Sequence, residues 1–180
     1  TTWNGIPIRF DTSYPGASHF ERTGGTDSVS GVDNISYING DQSKEIGRPN
    51  GTLRTRAYPI GDIVDSSPAY NADTKTVYVG ANDGMLHAID ATGTNMGKVL
   101  FSYIPMGLAI TDLKTLSAVE YDHRYFMDGQ IDTITRAKQG YNKNILLGAP
   151  GRGAKGVFAL DVTNPSVNST ALFLWDKTYN

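Results

Sequence analysis

The chain has 180 residues, of which 39% are hydrophobic, with 20 glycines, ten tyrosines, no cysteine and a formal net charge of −2. This charge argues against a nucleic-acid-binding domain, and the lack of cysteine excludes disulfides and thiolate metal sites. No run of about 18 apolar residues occurs, so the sequence predicts no transmembrane segment.

Residues 1–57 are predicted to form an irregular N-terminal segment of the same domain as the rest of the chain. Residues 6–10 can form one short strand, and Pro7 favours an edge position for it. Residues 14–33 are rich in Gly, Ser, Thr and Asp, which predicts loop. Residues 32–38 are compatible with either a short helix or a strand. A loop region this long indicates a surface excursion or the trailing piece of a larger domain.

Residues 58–180 are predicted to form two four-stranded blades, at about 62–104 and 125–175. The first blade has strands at 62–70, 76–81, 85–91 and 98–104. Its central runs are apolar without alternation, which predicts a hairpin buried on both faces. Asn82, Asp83 and Gly84 between them supply the positive-φ positions of a tight turn. Four antiparallel strands in about 40 residues are typical of one propeller blade.

Residues 105–122 are predicted to form an insertion with a short helix near 111–119, N-capped at Thr111 or Asp112. The pattern allows at most one or two short helices in the whole chain. Strands then return at 125–131, 144–148, 157–162 and 172–175.

An internal repeat supports the two blades. Residues 88–92, AIDAT, align with residues 159–163, ALDVT, and residues 77–81, VYVGA, align with 145–149, ILLGA. Two blades cannot bury a propeller core, because propellers close with roughly four to eight blades. The sequence therefore predicts an all-β partial propeller that is a fragment of a larger one, or is completed by other polypeptide.

Longer motifs connect the chain to a family. They are RTR at 54–56, GDIVDSSP at 61–68, YVGANDGMLHA at 78–88, HRYFMDG at 123–129 and GVFALDVT at 156–163. In this order, over about residues 37–176, they resemble the PilY/PilC family of type IV pilus biogenesis and tip adhesin proteins. The blade at 62–104 also resembles the quinoprotein-like repeat, with Ser-Pro, VYVG, a DG turn and an A-x-D step.

The resemblance implies a quinoprotein-like C-terminal propeller that is not an enzyme. Such a protein lies outside the cell, at the pilus tip or the outer-membrane surface, and supports pilus assembly and adhesion to surfaces or host cells. Its implied partners are major or minor pilins, a host-cell or abiotic surface, and the rest of its own propeller. Some members carry a DxDxDG calcium loop in a later blade. Residues 128–132 and the pair Asp62 and Asp65 lack its alternating oxygen ligands, so no calcium site is predicted in this chain.

Two alternatives remain open at this stage. One is a fragment of a secreted quinone-dependent dehydrogenase, which needs a calcium-held quinone, a catalytic Asp and stacking Trp residues. The chain has only Trp3 and Trp175 and no visible ligand cluster. The other is a scaffold propeller of outer-membrane assembly.

No catalytic, cofactor-binding or metal-binding residue is predicted. Residues 148–156 only superficially resemble a phosphate loop, because Ala154 precedes Lys155 and a strand follows, so a hairpin loop is favoured. His19, His87 and His123 match no metal spacing. We expect His87 to be packed and hydrogen-bonded in its strand and His123 to pair with a nearby carboxylate.

Other recurring residues are interpreted structurally. Asp90 and Asp161 are expected to accept backbone N–H bonds in the turns that follow them. Phe101 and Trp175, at equivalent fourth-strand positions, are expected to pack between blades. The three loop arginines Arg54, Arg56 and Arg124 are compatible with binding of anionic groups, but surface salt bridges of little consequence are expected, as is usual for isolated arginines on loops. Packing between the blades, or against polypeptide outside the chain, is expected for Val79, Leu86, Ile89, Leu147 and Phe158.

Overall fold

The structure is a computed structural model that describes residues 7–8, 16–140, 142–166 and 172–180. Its strands form two sheets, which confirms the all-β, partial-propeller prediction. The first has the order β1-β5-β4-β3-β2 and the second β6-β7-β8-β9. The first sheet consists of β1 Pro7–Ile8, β2 Ala69–Asn71, β3 Thr76–Ala81, β4 Met85–Asp90 and β5 Val99–Tyr103. The second consists of β6 Ile131–Ile134, β7 Ile145–Gly148, β8 Phe158–Asp161 and β9 Phe173–Asp176.

The β3–β4 hairpin lies at the centre of the first sheet, as predicted. Thr76 pairs with Asp90 and Ala81 pairs with Met85, so the two strands are matched over their full length. Of the three turn residues predicted to supply positive-φ positions, only Gly84 has one, with a φ of 92°, a conformation that glycine adopts without strain. Most side chains of both strands are buried, which confirms burial on both faces.

The predicted first strand at 62–70 is wrong for most of its length, since only Ala69–Asn71 is strand. Pro68 has no N–H to donate to a ladder. The residues before it contact β3 and its turn by other means. The Asp62 carbonyl accepts from the Asn82 N–H at 2.9 Å, and the Ser66 hydroxyl accepts from the Gly80 N–H at 2.9 Å.

The second blade begins later than predicted, at Ile131 rather than residue 125. Residues 125–130 instead bridge the two sheets. The Phe126 N–H donates to Asn82 Oδ1 at 3.0 Å, and the Asp128 N–H donates to the Pro150 carbonyl at 3.0 Å. These backbone groups therefore pair with hairpin loops and not with a neighbouring strand. The other three strands of this blade are confirmed within one or two residues.

The described ranges contain three short α-helices, more than predicted: α1 Gly31–Ile38, α2 Ile110–Leu113 and α3 Arg136–Gln139. Residues 32–38, for which the sequence allowed a helix or a strand, are therefore helical. The Ser30 hydroxyl caps α1 by accepting from the Asp33 N–H. Helix α2 begins after Ala109, so neither Thr111 nor Asp112 is its N-cap.

The N-terminal segment is irregular but not free of structure. Short 3₁₀ turns occupy Ala17–Phe20 and Gly25–Asp27 within the predicted loop. The predicted strand at 6–10 is present at Pro7–Ile8, where it pairs in parallel with β5 at the edge of the sheet. Its other residues lie outside the described ranges.

Two hydrophobic cores hold the molecule together. The first joins the two sheets and includes Leu86, Phe101 and Phe158, which confirms inter-blade packing for these residues. The second joins α1 and Leu53 to the chain between Ile104 and Phe126, with Met85 at the end of the hairpin. This second core positions the candidate site described below.

Equivalent rows of side chains cross the two sheets. In the first sheet Ala88 pairs with Tyr78 and Phe101, and in the second Ala159 pairs with Leu147 and Trp175. Tyr78 and Phe101 are 0% and 1% exposed, whereas Leu147 and Trp175 are 36% and 37% exposed. The strand pairing therefore places Leu147 at the position of Tyr78, one residue beyond the Leu146 that the alignment of 77–81 with 145–149 predicts. The expected inter-blade packing of Trp175 is not found among the described residues.

Candidate functional site

His87 lies in β4 and is buried. Its Nδ1 is 2.8 Å from Ser102 Oγ and its Nε2 is 2.9 Å from Asp83 Oδ2. This confirms that His87 is packed and hydrogen-bonded. The register of β4 with β5 places Ser102 opposite His87, a signal that sequence reasoning had not used.

The Asp83, His87 and Ser102 side chains together have the composition of a catalytic triad, but all three are buried. A nucleophile must be reached by its substrate, and Ser102 is 0% exposed in the interior of the sheet. Asp83 also accepts from the Gly61 N–H at 2.9 Å and the Met85 N–H at 3.0 Å. The arrangement therefore connects β4, β5 and the segment near residue 61, which is a structural role.

A cleft of about 560 Å³ lies above this buried cluster. It is bounded by the end of α1, by residues 54–62, by the turn at Asn82 and Asp83, and by the chain from Leu116 to His123. We call it the Arg54 cleft. Its walls come from parts of the chain that are far apart in sequence, so no local motif predicts it.

Arg56 lines one side of the Arg54 cleft. Its Nε is 2.8 Å from Glu45 Oε1, with both side chains largely buried. The guanidinium carbon lies 3.5 Å from the centroid of the Tyr37 ring, and Nη1 donates to the Tyr37 carbonyl at 2.9 Å. The prediction of a surface salt bridge of little consequence is therefore wrong for Arg56, because its carboxylate partner is buried.

Arg54 is held in the cleft in a different way. Its Nε donates to the Leu116 carbonyl at 2.9 Å, and its guanidinium lies over the Tyr121 ring at 4.5 Å. No described carboxylate forms a salt bridge with it, so the predicted surface ion pair is not found. Arg124 does form the expected exposed pair, with Asp112 at 3.4 Å.

His123 and Asp62 form the opposite rim. His123 Nε2 is 2.9 Å from Asp62 Oδ2, which confirms the expected carboxylate partner. The Asn82 side-chain amide also donates to Asp62 Oδ2, at 2.9 Å. Partial burial raises the pKa of Asp62, but the hydrogen bonds from Asn82 and His123 outweigh it and hold the pKa below its ordinary value.

Two tyrosines line the interior of the cleft. Burial raises the pKa of both Tyr37 and Tyr121, so both are neutral at physiological pH. The Tyr121 hydroxyl accepts from the Arg124 N–H at 3.1 Å. The Tyr37 hydroxyl is buried and has no hydrogen-bond partner among the described residues.

The remaining sequence predictions concern loops. Asp90 and Asp161 accept from the N–H groups of Thr92 at 2.9 Å and Thr163 at 3.1 Å, as expected. Residues 148–156 connect β7 to β8 through the 3₁₀ turn Gly151–Gly153, which confirms a hairpin loop. Within the described ranges, no three His, Asp or Glu side chains are grouped closely enough to hold a metal ion. None of the helices described is long and apolar enough to cross a membrane.

Comparison with known proteins agrees with the motifs. The PilY1 β-propeller domain family matches residues 38–179. A type IV pilus biogenesis factor PilY1 homolog of Xylella fastidiosa is 40% identical over 173 residues, covering 80% of this chain and 14% of that protein. The type IV pilus biogenesis factor PilY1 of Pseudomonas aeruginosa strain PAK is 33% identical over 166 residues, covering 76% of this chain and 14% of that protein. No solved structure matches.

The chain therefore belongs to the PilY1 β-propeller family, as the resemblance implied. It spans about one seventh of the length of these relatives.

Proposed function

We propose that this chain is part of the β-propeller of a type IV pilus biogenesis factor and that it acts by contact, not by catalysis. The observation that carries the proposal is the family match over residues 38–179, together with relatives that are named as pilus biogenesis factors. In this role the protein supports pilus assembly, and it adheres to host cells or abiotic surfaces. It lies outside the cell, at the pilus tip or the outer-membrane surface, in contact with major or minor pilins.

The buried state of Asp83, His87 and Ser102 supports a role in contact. These are the residues whose composition most resembles catalytic machinery, yet their hydrogen bonds are used to join strands. A contact protein needs a rigid scaffold that holds exposed loops in place.

The exposed row at Leu147 and Trp175 supports a larger propeller. In the first sheet, the equivalent Tyr78 and Phe101 are buried against the second sheet. We propose that a further blade of the same protein covers Leu147 and Trp175 in the same way. Burial of apolar surface contributes roughly 25 cal/mol for each Å² removed from water, which favours such packing.

The test is made in a bacterium whose full-length protein contains this chain. Residues 38–179 are deleted from the gene, surface pili are counted by electron microscopy, and the remaining protein is quantified by immunoblot. We expect few or no surface pili, with recovery when the intact gene is supplied on a plasmid. Normal piliation with the truncated protein present at normal level would contradict the role in assembly.

Adhesion is separated from assembly by repeating the deletion in a strain that cannot retract its pili. Where pilus number is restored in that strain, attachment to cultured cells and to plastic is measured per pilus. We expect attachment to fall even at equal pilus number. Unchanged attachment would restrict the function to assembly.

A further inference from the structure

We propose that the Arg54 cleft binds a peptide segment that carries a carboxylate next to an apolar side chain. The inference concerns the cleft alone and goes beyond the pilus role, so either can fail without the other.

Within the cleft, the arrangement around Arg54 points to an anion. Arg56 pairs with Glu45, and the two carboxylates that line the cleft already have donors. Asp62 accepts from Asn82 and lies 2.9 Å from His123. Asp83 accepts from two backbone N–H groups and lies 2.9 Å from His87. Arg54 is the one basic side chain of the cleft that has no carboxylate partner among the described residues. A carboxylate would therefore meet an uncompensated guanidinium, which is the side chain best suited to two parallel hydrogen bonds with it.

Arg54 is also fixed in position before any ligand arrives. Its Nε bond to the Leu116 carbonyl and its stacking on Tyr121 hold the guanidinium plane. Its two terminal nitrogens make no hydrogen bond to the described residues. Because the side chain is already ordered, binding loses less conformational entropy than it would with a free surface arginine.

The rest of the cleft favours a peptide over a sugar acid. Tyr58, Pro59 and Ile60 form an apolar wall, and Tyr58 is 78% exposed. The other polar side chains of the cleft, among them Asp62, Asn82 and Asp83, already bond to the protein. The many hydroxyls of a sugar would therefore stay unpaired, whereas an apolar side chain would bury against Tyr58. A volume of about 560 Å³ suits a few peptide residues.

The test measures peptide binding to the 180-residue chain by calorimetry at low salt. Three probes are compared: acetyl-Ala-Glu-Leu-amide, acetyl-Ala-Gln-Leu with a free C-terminus, and the neutral acetyl-Ala-Gln-Leu-amide. We expect at least one carboxylate peptide to bind about tenfold more tightly than the neutral one, as a charge-assisted hydrogen bond implies. The two charged probes distinguish a side-chain carboxylate from a terminal one.

Two cleft variants and one control complete the experiment. Arg54→Gln should remove the preference for carboxylate peptides, and Tyr58→Ala should weaken binding of all three. Because Tyr58 is exposed, its variant folds even if the Arg54 variant does not. Arg48→Gln makes the same charge change at an exposed arginine outside the cleft and should bind like the parent.

Equal affinity for the charged and neutral peptides would overturn the proposal. Unchanged binding in both cleft variants would do the same, since the peptides would then bind elsewhere. Tighter binding of a galacturonate oligomer than of any peptide would show that the ligand class is wrong.

Discussion

Arg56 shows how burial changes the meaning of a charged side chain. Its sequence neighbourhood, Arg-Thr-Arg-Ala-Tyr-Pro at 54–59, is that of a surface loop. In the fold the guanidinium covers the Tyr37 ring and pairs with the buried Glu45. No residue within a few positions of Arg56 predicts its pairing with Glu45. Its role depends on the tertiary path of residues 37–56.

Arg56→Met is expected to lower the free energy of unfolding by about 3 kcal/mol, because it leaves the Glu45 carboxylate buried without its cation. Urea denaturation measures the loss. Adding Glu45→Gln should recover at least about 1 kcal/mol by removing the buried charge. Arg124→Met, which breaks an exposed pair, should cost less than about 1 kcal/mol. Equal losses for the two arginine variants would contradict the role assigned to Arg56.

The lowered pKa values of Asp161 and Asp62 lead us to expect that the protein loses stability in acid. Burial raises the pKa of Asp161, but hydrogen bonds from Lys143 and Thr163 outweigh it and leave the pKa below its ordinary value, as at Asp62. A lowered folded-state pKa contributes stability above the unfolded pKa of about 4, and this is lost as pH falls through the folded pKa.

The urea concentration at the unfolding midpoint is therefore expected to decrease as the pH is lowered below about 4. Asp161→Asn, which keeps an oxygen for the Thr163 N–H, should flatten the pH dependence. A midpoint that is constant down to pH 3, or a variant with the parental slope, would contradict this assignment.

Strands were predictable where their hydrogen bonds stay local. The β3–β4 hairpin closes within 15 residues around Asn82, Asp83 and Gly84, so its turn residues and apolar runs determine it. Residues 62–68 and 125–130 have similar β-forming composition. In the first segment, the Asp62 carbonyl and the Ser66 hydroxyl accept from backbone N–H groups of Asn82 and Gly80. In the second, the N–H groups of Phe126 and Asp128 donate to the Asn82 side chain and to the Pro150 carbonyl in a distant loop. The Arg54 cleft was missed for the same reason, since α1 and the insertion meet only in the tertiary fold.

Gly84→Ala is expected to destabilise the hairpin beyond the effect of backbone conformation alone. At a φ of +92°, the added methyl group would lie 2.3 Å from Leu113 Cδ2. Gly93→Ala is the matched control, with a positive φ and no atom within 4 Å of the added carbon. We expect the control to lose about 1 kcal/mol and Gly84→Ala at least about 2 kcal/mol. Thermal or urea unfolding compares them, and similar losses would show that Leu113 moves aside freely.

At the scale of the whole molecule, the described residues leave an apolar row of the second sheet uncovered. Leu147 and Trp175 are exposed where the first sheet buries Tyr78 and Phe101. Such a surface favours association with another polypeptide, and the open edges of the sheets do the same.

The isolated chain is therefore expected to self-associate at micromolar concentration, measured by sedimentation velocity. Leu147→Lys with Trp175→Lys should shift the chain toward monomer. Val32→Lys with Met96→Lys, at exposed apolar side chains elsewhere, should not. A stable monomer of the parent chain would indicate an independent domain and weaken the proposal of a larger propeller.

The parallel pairing of β1 with β5 has a consequence for the order of folding. Pro7 and Ile8 pair with Ser102 and Tyr103, so this edge of the sheet closes the longest loop of any strand pair described. Contacts distant in sequence form slowly, because the entropy of loop closure is lost before the contact compensates for it. We expect β3 and β4 to assemble first and β1 to dock last. A ribosome must therefore release the whole first sheet before the N-terminal strand can find its place.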